Sequence, residues 1–225
     1  MAAKIDNIQL SLLGKQLTPV KAARDLGVIL DTSLTFSDHV RTIVASCMSR
    51  LGQINRVKHC FNKRTVILII NALVFTKLYY CSSVWSNTSQ SNIGKLQAVQ
   101  NFACRIVSGA QKYDHVTPIL RQLNWLPVKQ HIYYRDLIMA FKCMNCLAPE
   151  YLADQFTKRS SISTYKTRNS ELLNNPLFRS AAGQRTFYYR MVSIWNALPQ
   201  NLKLSQSLAQ FRNKLMETLN ELLLA

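Results

Sequence analysis

Acidic side chains are scarce in this sequence. The 225 residues include 11 Asp and Glu against 28 Lys and Arg, and the formal net charge is +17. No Asp-Asp pair occurs, and the carboxylate pair that we considered, Asp25 and Asp31, flanks a short apolar stretch. A two-metal phosphoryl-transfer site holds its ions with closely placed carboxylates. We therefore predict that this chain has no catalytic residues, no metal site and no cofactor of its own.

Recognised catalytic motifs are lacking as well. The sequence has no glycine-rich phosphate loop, no serine elbow and no HExxH motif. Cys143 and Cys146 have the spacing of a zinc-ligand pair, but the other cysteines are scattered singly and structural zinc needs four ligands. We interpret these two as buried thiols in an apolar helix. The histidines are dispersed too, which favours structural roles for them.

Long hydrophobic runs are missing. The most apolar window, VILIINALVF, covers residues 66–75 only, whereas a transmembrane helix needs about 20 apolar residues. We predict a buried helix there and no membrane partner. The first residues, MAAKIDNIQLSLLGK, contain no apolar run of the kind an export signal has. We expect a cytoplasmic or nuclear protein that is not secreted, with its cysteines reduced.

The patterning that is present predicts a mainly α fold with a short strand cluster at the start. IQLSLL and KQLTPV alternate around Gly14-Lys15, which favours a hairpin with a type II′ turn, and DLGVILD would add a third strand. Thr35 and Asp38 have capping-box spacing, which predicts the start of a helix. Its apolar face consists of Val40, Ile43, Val44, Cys47, Met48, Leu51 and Ile54.

Further helices follow, most of them with recognisable ends. Ser89 and Gly109 suit the start and the end of one helix, and Pro127 and Pro149 suit first turns. These helices are predicted at residues 65–82, 89–108, 116–123, 127–145, 149–156, 186–198 and 207–224. The last one carries an apolar stripe whose mate must lie elsewhere in the fold or on a partner, formed by Leu208, Phe211, Leu215, Leu219 and Leu222.

These patterns divide the chain into five parts. A strand cluster occupies residues 1–34, a multi-helix bundle 35–112 and further helices 113–156. A crossing rich in Ser, Thr, Asn and Arg, which we predict to be basic and flexible, occupies residues 157–185. A C-terminal helical unit occupies residues 186–225.

The positive charge is concentrated in two regions of the sequence. Residues 36–112 contain ten Lys and Arg against one acid, residues 157–202 contain seven against one, and residues 113–156 are balanced. Clustered cations beside short polar side chains suit contacts with phosphates. The candidate nucleic-acid-binding residues are Arg56, Lys58, Lys63, Arg64, Lys95, Arg105, Lys112, Lys158, Arg159, Lys166, Arg168, Arg179, Arg185 and Arg190.

The expected partner is RNA or an RNA–DNA or DNA duplex, bound without sequence specificity. No zinc-finger spacing and no aromatic RNA-binding signature is present that could read bases. The alternative is a solvated basic surface that has no partner.

Two long stretches resemble a known family of polymerases. DLGVILDTSLTFSDHV, at residues 25–40, resembles the segment that follows the catalytic palm in reverse transcriptases of non-LTR retrotransposons, the LINEs of the jockey and chicken-repeat clades. Residues 95–142 resemble the post-thumb region of these RNA-directed DNA polymerases, with LQ-x-x-QN-x-x-x-R, H-x-TP-x-L, L-x-WLPV and FK in the same order. LAPEYL, TRNS, FYYRMVSIWNALP and FRNKL complete the series.

The resemblance implies roles for several parts of the chain. Residues 1–34 would be the remnant of the palm edge, with Leu26, Gly27 and Val28 in a strand near the primer terminus. Residues 35–112 would form a thumb-like bundle, and residues 113–156 the post-thumb helices. The palm aspartates that bind Mg in the family have no counterpart in this sequence, which implies a truncated reverse transcriptase fragment that holds nucleic acid without polymerising it. The alternatives are a helical protein-interaction or assembly module and a non-functional retroelement remnant.

Overall fold

Four short strands form two separate hairpins at the start of the described chain. The computed structural model describes residues 10–162 and 170–221. The strands are β1 (Leu10–Leu12), β2 (Lys15–Leu17), β3 (Ala22–Asp25) and β4 (Val28–Asp31). β1 pairs with β2 and β3 pairs with β4, both antiparallel, and the two pairs share no strand. DLGVILD is therefore not one added strand, as we predicted, because it contains the end of β3, a turn and all of β4.

Both hairpins turn through two residues that have positive φ. Leu13 and Gly14 have φ values of 51° and 78°, and Leu26 and Gly27 have φ values of 43° and 89°. Two positive φ values define a type I′ turn, whose twist matches that of the flanking strands. The type II′ turn predicted at Gly14-Lys15 is wrong, because Lys15 pairs with Leu12 and thus belongs to β2.

Helices make up most of the remaining described structure, and the mainly α fold class is confirmed. They are α1 (Ser37–Val57), α2 (Lys63–Ile70), α3 (Thr76–Leu78), α4 (Ser82–Trp85), α5 (Gln90–Ser108), α6 (Thr117–Gln122), α7 (Val128–Met144), α8 (Glu150–Ala153), α9 (Arg159–Ile162), α10 (Ala181–Gln184), α11 (Phe187–Ala197), α12 (Gln200–Lys203) and α13 (Leu208–Glu221). A 3₁₀ turn at Lys58–Cys60 leads from α1 toward α2, and a π-helix at Asn71–Phe75 joins α2 to α3.

The start of α1 is organised by Asp31, and the predicted capping box is wrong. Phe36 precedes the helix with a φ of 58°, and its side chain caps no N–H. The carboxylate of Asp31 instead accepts hydrogen bonds from the backbone N–H groups of Ser33, Thr35 and Phe36. Burial alone would raise the pKa of Asp31, but these hydrogen bonds to its ionised form lower it. Asp31 thereby ties the end of β4 to the start of α1.

The helix predicted at residues 65–82 is interrupted. The π-helix replaces its middle, α3 ends at Leu78, and Cys81 has a φ of 48°. No glycine or proline occurs between residues 63 and 85, so none of the usual breakers marks these changes in the sequence.

Other helix ends follow local chemistry. The Ser89 hydroxyl accepts a hydrogen bond from the N–H of Asn92, and Gly109 ends α5 with a φ of 77°. The Thr186 side chain likewise accepts from the N–H of Tyr189 at the start of α11. Each of these ends agrees with the prediction, because a cap depends on residues within one turn of the helix end.

The buried side chains form two hydrophobic clusters that meet along α7. The first cluster includes Val28 of β4 together with the inner faces of α1, α2, α3 and α5. The second combines the C-terminal half of α7 with α11 and α13. Ile132 belongs to the first cluster and Leu137 to the second, so α7 contributes to both. The apolar face of α1 is buried as predicted, except for half-buried Val44 and exposed Met48.

The apolar stripe of α13 has its mate inside the chain. Phe211, Leu215 and Leu219 are buried in the second cluster, and Phe211 stacks on Phe141 of α7 at a centroid distance of 4.4 Å. Leu222 lies outside the described residues.

In the described parts of the predicted crossing, residues 157–162 and 170–185, the chain is irregular apart from α9 and α10. Lys158 forms an isolated bridge with Leu173, and Leu173 is buried in the second cluster. The Asn196 side chain also fixes the backbone of Leu173. It donates to the Leu173 carbonyl at 3.0 Å and accepts from the Leu173 N–H at 2.9 Å. The five-part division of the chain stays a prediction.

All six cysteines are described, and all are free thiols. Cys143 is buried as predicted, but Cys146 is exposed because α7 has ended two residues earlier and the backbone turns there with a φ of 55°. None of the helices within the described residues has both the length and the apolar character needed to cross a membrane.

Candidate nucleic-acid interface

The corner between α1 and α2 carries a dense group of cations. Arg56 lies in the last turn of α1, Lys58 lies in the 3₁₀ turn, and Lys63 and Arg64 form the first turn of α2. We call these four residues the basic corner. Arg56, Lys63 and Arg64 are exposed, and Lys58 is half-buried. Within the described part of the chain, none of the four side chains makes a hydrogen bond or an ion pair.

The first turn of α2 adds to the positive field of the corner. Asn62 caps this helix by accepting the N–H of Thr65 at 2.8 Å. The free N–H groups and the dipole of a helix N-terminus attract anions. Cations usually avoid this position, so Lys63 and Arg64 there combine two sources of positive potential instead of cancelling them. This geometry suits a phosphate group.

The candidate cations on and after α5 are more varied. Lys95 donates a hydrogen bond to the side chain of Asn92 at 3.3 Å. The Arg105 guanidinium donates to the carbonyls of Gln111 and Asp114, at 3.1 and 3.4 Å, and so closes the loop after α5. Lys112 lies 5.5 Å from the ring centre of the exposed Tyr113. Arg105 is thus largely occupied by protein oxygens, whereas Lys112 remains at the surface.

In the second basic region, most described cations have protein partners. Lys158 pairs with Glu171 at 2.8 Å, and its hydrogen bond and charge lower the pKa of Glu171. Arg185 donates to the carbonyl of Ser33 at 3.0 Å. Arg159 is half-buried and Arg179 is exposed. Lys166 and Arg168 lie outside the described residues.

Arg190 is held in an interior ion pair. Its guanidinium donates to Asp136 at 3.3 Å and to the carbonyl of Ser83 at 3.2 Å, and Ser86 also donates to Asp136 at 2.8 Å. The Asp136 side chain is only 4% exposed and that of Arg190 only 19%. A guanidinium whose donors are used in this way stabilises the fold, so we leave Arg190 out of the candidate interface.

The loop between β4 and α1 brings parts of both basic regions together. Arg185 contacts this loop at Ser33, and the Thr88 hydroxyl donates to the carbonyl of Thr35 at 2.9 Å. One turn into α5, the Asn92 amide donates to the hydroxyl of Ser37 at 3.1 Å. Since Lys95 contacts Asn92, Lys95 also lies near the start of α1.

Comparison with known proteins reveals similarity to polymerases of transposable elements. The chain is 27% identical over 128 residues to the probable RNA-directed DNA polymerase from transposon BS of Drosophila melanogaster, covering 55% of this chain and 14% of that protein. It is 29% identical over 103 residues to the RNA-directed DNA polymerase from mobile element jockey of Drosophila funebris, covering 44% and 11%. The resemblance to non-LTR retrotransposon polymerases is confirmed.

A further relative has a related name. The chain is 27% identical over 116 residues to the retrovirus-related Pol polyprotein from type-1 retrotransposable element R1 of Nasonia vitripennis, covering 48% of this chain and 34% of that protein. The chain therefore spans only a small part of the length of these non-LTR polymerases. No family model and no solved structure matches it.

The segment at residues 26–28, which carries part of the resemblance to non-LTR polymerases, contains a turn and the start of a strand. Leu26 and Gly27 form the β3–β4 turn, so the prediction that they lie in a strand is wrong, and only Val28 begins β4. Leu26 is 85% exposed, whereas Val28 is buried in the first cluster. The Tyr80 hydroxyl donates to the carbonyl of Leu26 at 3.0 Å. The proximity of this segment to a primer stays a prediction.

Tyr80 also explains the glycine in this turn. A Cβ on Gly27 would lie 3.3 Å from the Tyr80 ring, and its φ of 89° disfavours any side chain. Gly27 could be singled out from the sequence, but its contact with Tyr80 could not be predicted, because 53 positions separate the two along the chain.

No group of three or more His, Cys, Asp or Glu residues close enough to hold a metal ion occurs among the described residues. Asp25 and Asp31, the carboxylates considered from the sequence, lie at the ends of β3 and β4. Asp31 serves the turn described above.

Proposed function

We propose that this chain corresponds to the thumb and post-thumb part of a non-LTR reverse transcriptase and holds RNA or a template-primer duplex. The basic corner would grip the phosphate backbone, and bound nucleic acid would be recognised by charge and shape. On this proposal the chain has no polymerase activity alone, because the Mg-binding aspartates of the family have no counterpart among its residues.

The observation that carries this proposal is the absence of internal partners for the basic corner among the described residues. The side chains of four cations within residues 56–64 lie at a helix junction, and in the part of the chain that the structure describes they make no hydrogen bond or ion pair. No acid occurs between Asp38 and Asp114. Keeping like charges together costs free energy, which an external polyanion recovers by releasing its counterions to the solvent.

Backbone recognition predicts a steep dependence of affinity on salt. If the four cations each neutralise one phosphate, the slope of log K against log salt is roughly −3.6, and affinity falls roughly a hundredfold between about 50 and about 200 mM salt. Fluorescence anisotropy with RNA, RNA–DNA and DNA duplexes of unrelated sequence measures this slope. A flat salt dependence, or binding of one sequence only, would contradict the proposal.

A charge-reversal variant locates the contact. Lys63→Glu with Arg64→Glu should weaken binding to all duplexes alike and reduce the salt slope by about 2. The matched control is Lys129→Glu with Arg212→Glu, which changes the net charge equally at exposed positions outside both basic regions. If the control weakens binding as much as the corner variant, net charge and not the basic corner is responsible.

The alternative of a protein-interaction module has lost its main support. That alternative relied on the apolar stripe of α13 and on the apolar helix predicted at residues 127–145, which corresponds to α7. Phe211, Leu215 and Leu219 of the stripe are buried in the second cluster, where α13 packs on α7. If light scattering shows a stable oligomer that forms regardless of added nucleic acid, the protein-interaction module would be favoured again.

A further inference from the structure

A pocket of about 360 Å³ lies where the two hydrophobic clusters meet. The π-helix contributes Asn71 and Phe75, the loop before α7 contributes Asn124 and Trp125, and α7 contributes His131. This volume is within the range of sites that bind small organic molecules, roughly 300 to 1,000 Å³. None of the proposed phosphate contacts of the basic corner lines it.

Flat aromatic rings form much of the pocket wall. His131 stacks on Tyr79 with ring centres 3.9 Å apart, and Phe75 meets Trp125 edge-on at 4.6 Å. Phe75, Trp125 and His131 are only half-buried, so part of each ring remains accessible. Such surfaces bind planar rings by stacking.

Polar groups in the same pocket have unused hydrogen-bonding capacity. Among the described residues, the side chains of Asn71, Asn124 and His131 make no hydrogen bond. Gln100 differs, because its amide is committed to the carbonyl of Leu126 at 2.9 Å. A side-chain amide offers both donors and an acceptor, which is the combination that the edge of a nucleobase also presents.

The ring of His131 is neutral at physiological pH. Burial, with the nearby charge of Arg135, lowers the pKa of His131 to about 4. A neutral imidazole offers one donor and one acceptor to a ligand. None of the residues that line the pocket is acidic.

Two uncommon backbone conformations line this one pocket. Asn71 and Phe75 begin and end the π-helix, and Asn124 has a φ of 52°. Short π-helices and left-handed residues other than glycine are disfavoured and concentrate at functional sites. Both features turn polar or aromatic side chains toward the same space.

Arg135 supplies a cation at the rim. It is exposed, lines the pocket, and makes no hydrogen bond among the described residues. A guanidinium beside a site for a planar ring suits the phosphate of a nucleotide.

From this arrangement we propose that the pocket binds one unpaired base of a nucleic-acid strand, stacked on the aromatic wall and hydrogen-bonded by Asn71, Asn124 and His131. A base inside a duplex cannot enter, because its faces are stacked and its pairing edge is used. That the base comes from a nucleic-acid strand rests on the proposed function. That the pocket prefers a nucleotide does not rest on it.

The first test uses ligands that are too small to engage the basic corner. Saturation-transfer NMR on the whole chain compares adenosine and uridine 5′-monophosphates with ribose 5-phosphate. The expected result is binding of the nucleotides, with contacts from the base protons, and no binding of ribose 5-phosphate. Equal signals from all three, or none from the nucleotides, would overturn the pocket assignment.

The second test removes the two amides without disturbing the core. Asn71→Ala suits a helical position, and Asn124→Gly keeps the left-handed backbone free of strain. The double variant should bind a single-stranded oligonucleotide roughly tenfold more weakly and a blunt duplex of equal length unchanged, since two hydrogen bonds are lost. The matched control, Gln90→Ala with Gln130→Ala, removes two amides from another pocket of about 440 Å³ and should change neither affinity.

The outcomes separate this inference from the proposed function. Duplex binding with a salt slope but no nucleotide binding would remove the base pocket and leave the proposed function in place. Nucleotide binding without duplex binding would contradict the proposed function and leave the base pocket in place. An equal loss of single-strand and duplex affinity in the double variant would show that the two amides belong to a general phosphate surface, and would overturn the base pocket.

Discussion

In the basic corner, Arg56, Lys63 and Arg64 extend from a helix junction without a partner among the described residues. In the second basic region, Lys158, Arg185 and Arg190 are each held by an oxygen of the chain, two of them by carboxylates. The two regions have a similar excess of cations over acids in the sequence. The cations of the basic corner nevertheless differ from these three in what they can still bind, although Lys95 and Arg105, elsewhere in the first region, also have protein partners.

The difference comes from the acids within reach of each region. The first region contains one acid, Asp38, which pairs with Arg41 at the start of α1, and no other acid occurs before Asp114. The second contains Glu171 and packs against α7, which carries Asp136. A cation paired inside the chain contributes to folding, whereas an unpartnered one stays available to an external phosphate. Charge density along a sequence therefore marks a candidate interface but does not identify its contacts.

The largest expected effect comes from breaking the interior ion pair. Asp136→Ala leaves Arg190 without its counter-charge in a site where both are mostly buried, so the free energy of unfolding should fall by about 3 kcal/mol in urea denaturation. The folded fraction should bind duplexes as before. Asp136→Leu with Arg190→Met removes both charges and should regain most of the loss. Unchanged stability with weaker binding would place Arg190 in the interface after all.

Lowering the pH protonates His131, which creates a third kind of cation, half-buried and without an ion pair among the described residues, where the two clusters meet. His131 has a pKa of about 4 in the fold, lowered by burial and by Arg135, against an ordinary value of 6.5. The unfolded chain therefore binds more protons between these values. The stability that neutral His131 contributes is complete above about pH 6.5 and is lost as the pH falls toward 4.

The expected loss from His131 is about 2 kcal/mol between pH 7 and pH 4.5, allowing for partial exposure of the ring. His131→Phe keeps a ring against Tyr79 and should lack this component. Tyr79 and Tyr134, the rings nearest His131, do not titrate here, since burial raises the pKa of both. Equal pH slopes of the free energy of unfolding in the two proteins would contradict the assignment.

The smallest effect is expected from the exposed pair in the second basic region. Lys158 and Glu171 are 49% and 73% exposed, so their attraction is screened by water and salt. Lys158→Met should change the free energy of unfolding by less than about 0.5 kcal/mol. A decrease in the free energy of unfolding above about 1 kcal/mol would mean that even exposed cations of this region stabilise the fold. The difference from the basic corner would then be larger.

Much of the fold follows from local chemistry. Ser89, Gly109 and Thr186 mark helix ends that agree with the structure. Two predictions failed for different reasons. Asp31, five residues before Phe36, replaced the Thr35–Asp38 capping box, whereas the turn at Leu26-Gly27 is supported by Tyr80, 54 positions from Leu26. The π-helix at Asn71–Phe75 has no breaker residue to announce it.

The sequence by itself determined the helical class, the two basic regions and the resemblance to non-LTR polymerases, because periodicity, composition and motif order are properties of the chain alone. Only the tertiary structure decided which cations remain available and that Asn71, Trp125 and His131 share one pocket. The physical reason is the distance along the chain over which each interaction acts. A helix end depends on groups within about one turn, whereas Arg190 meets Asp136 across 54 positions of the chain.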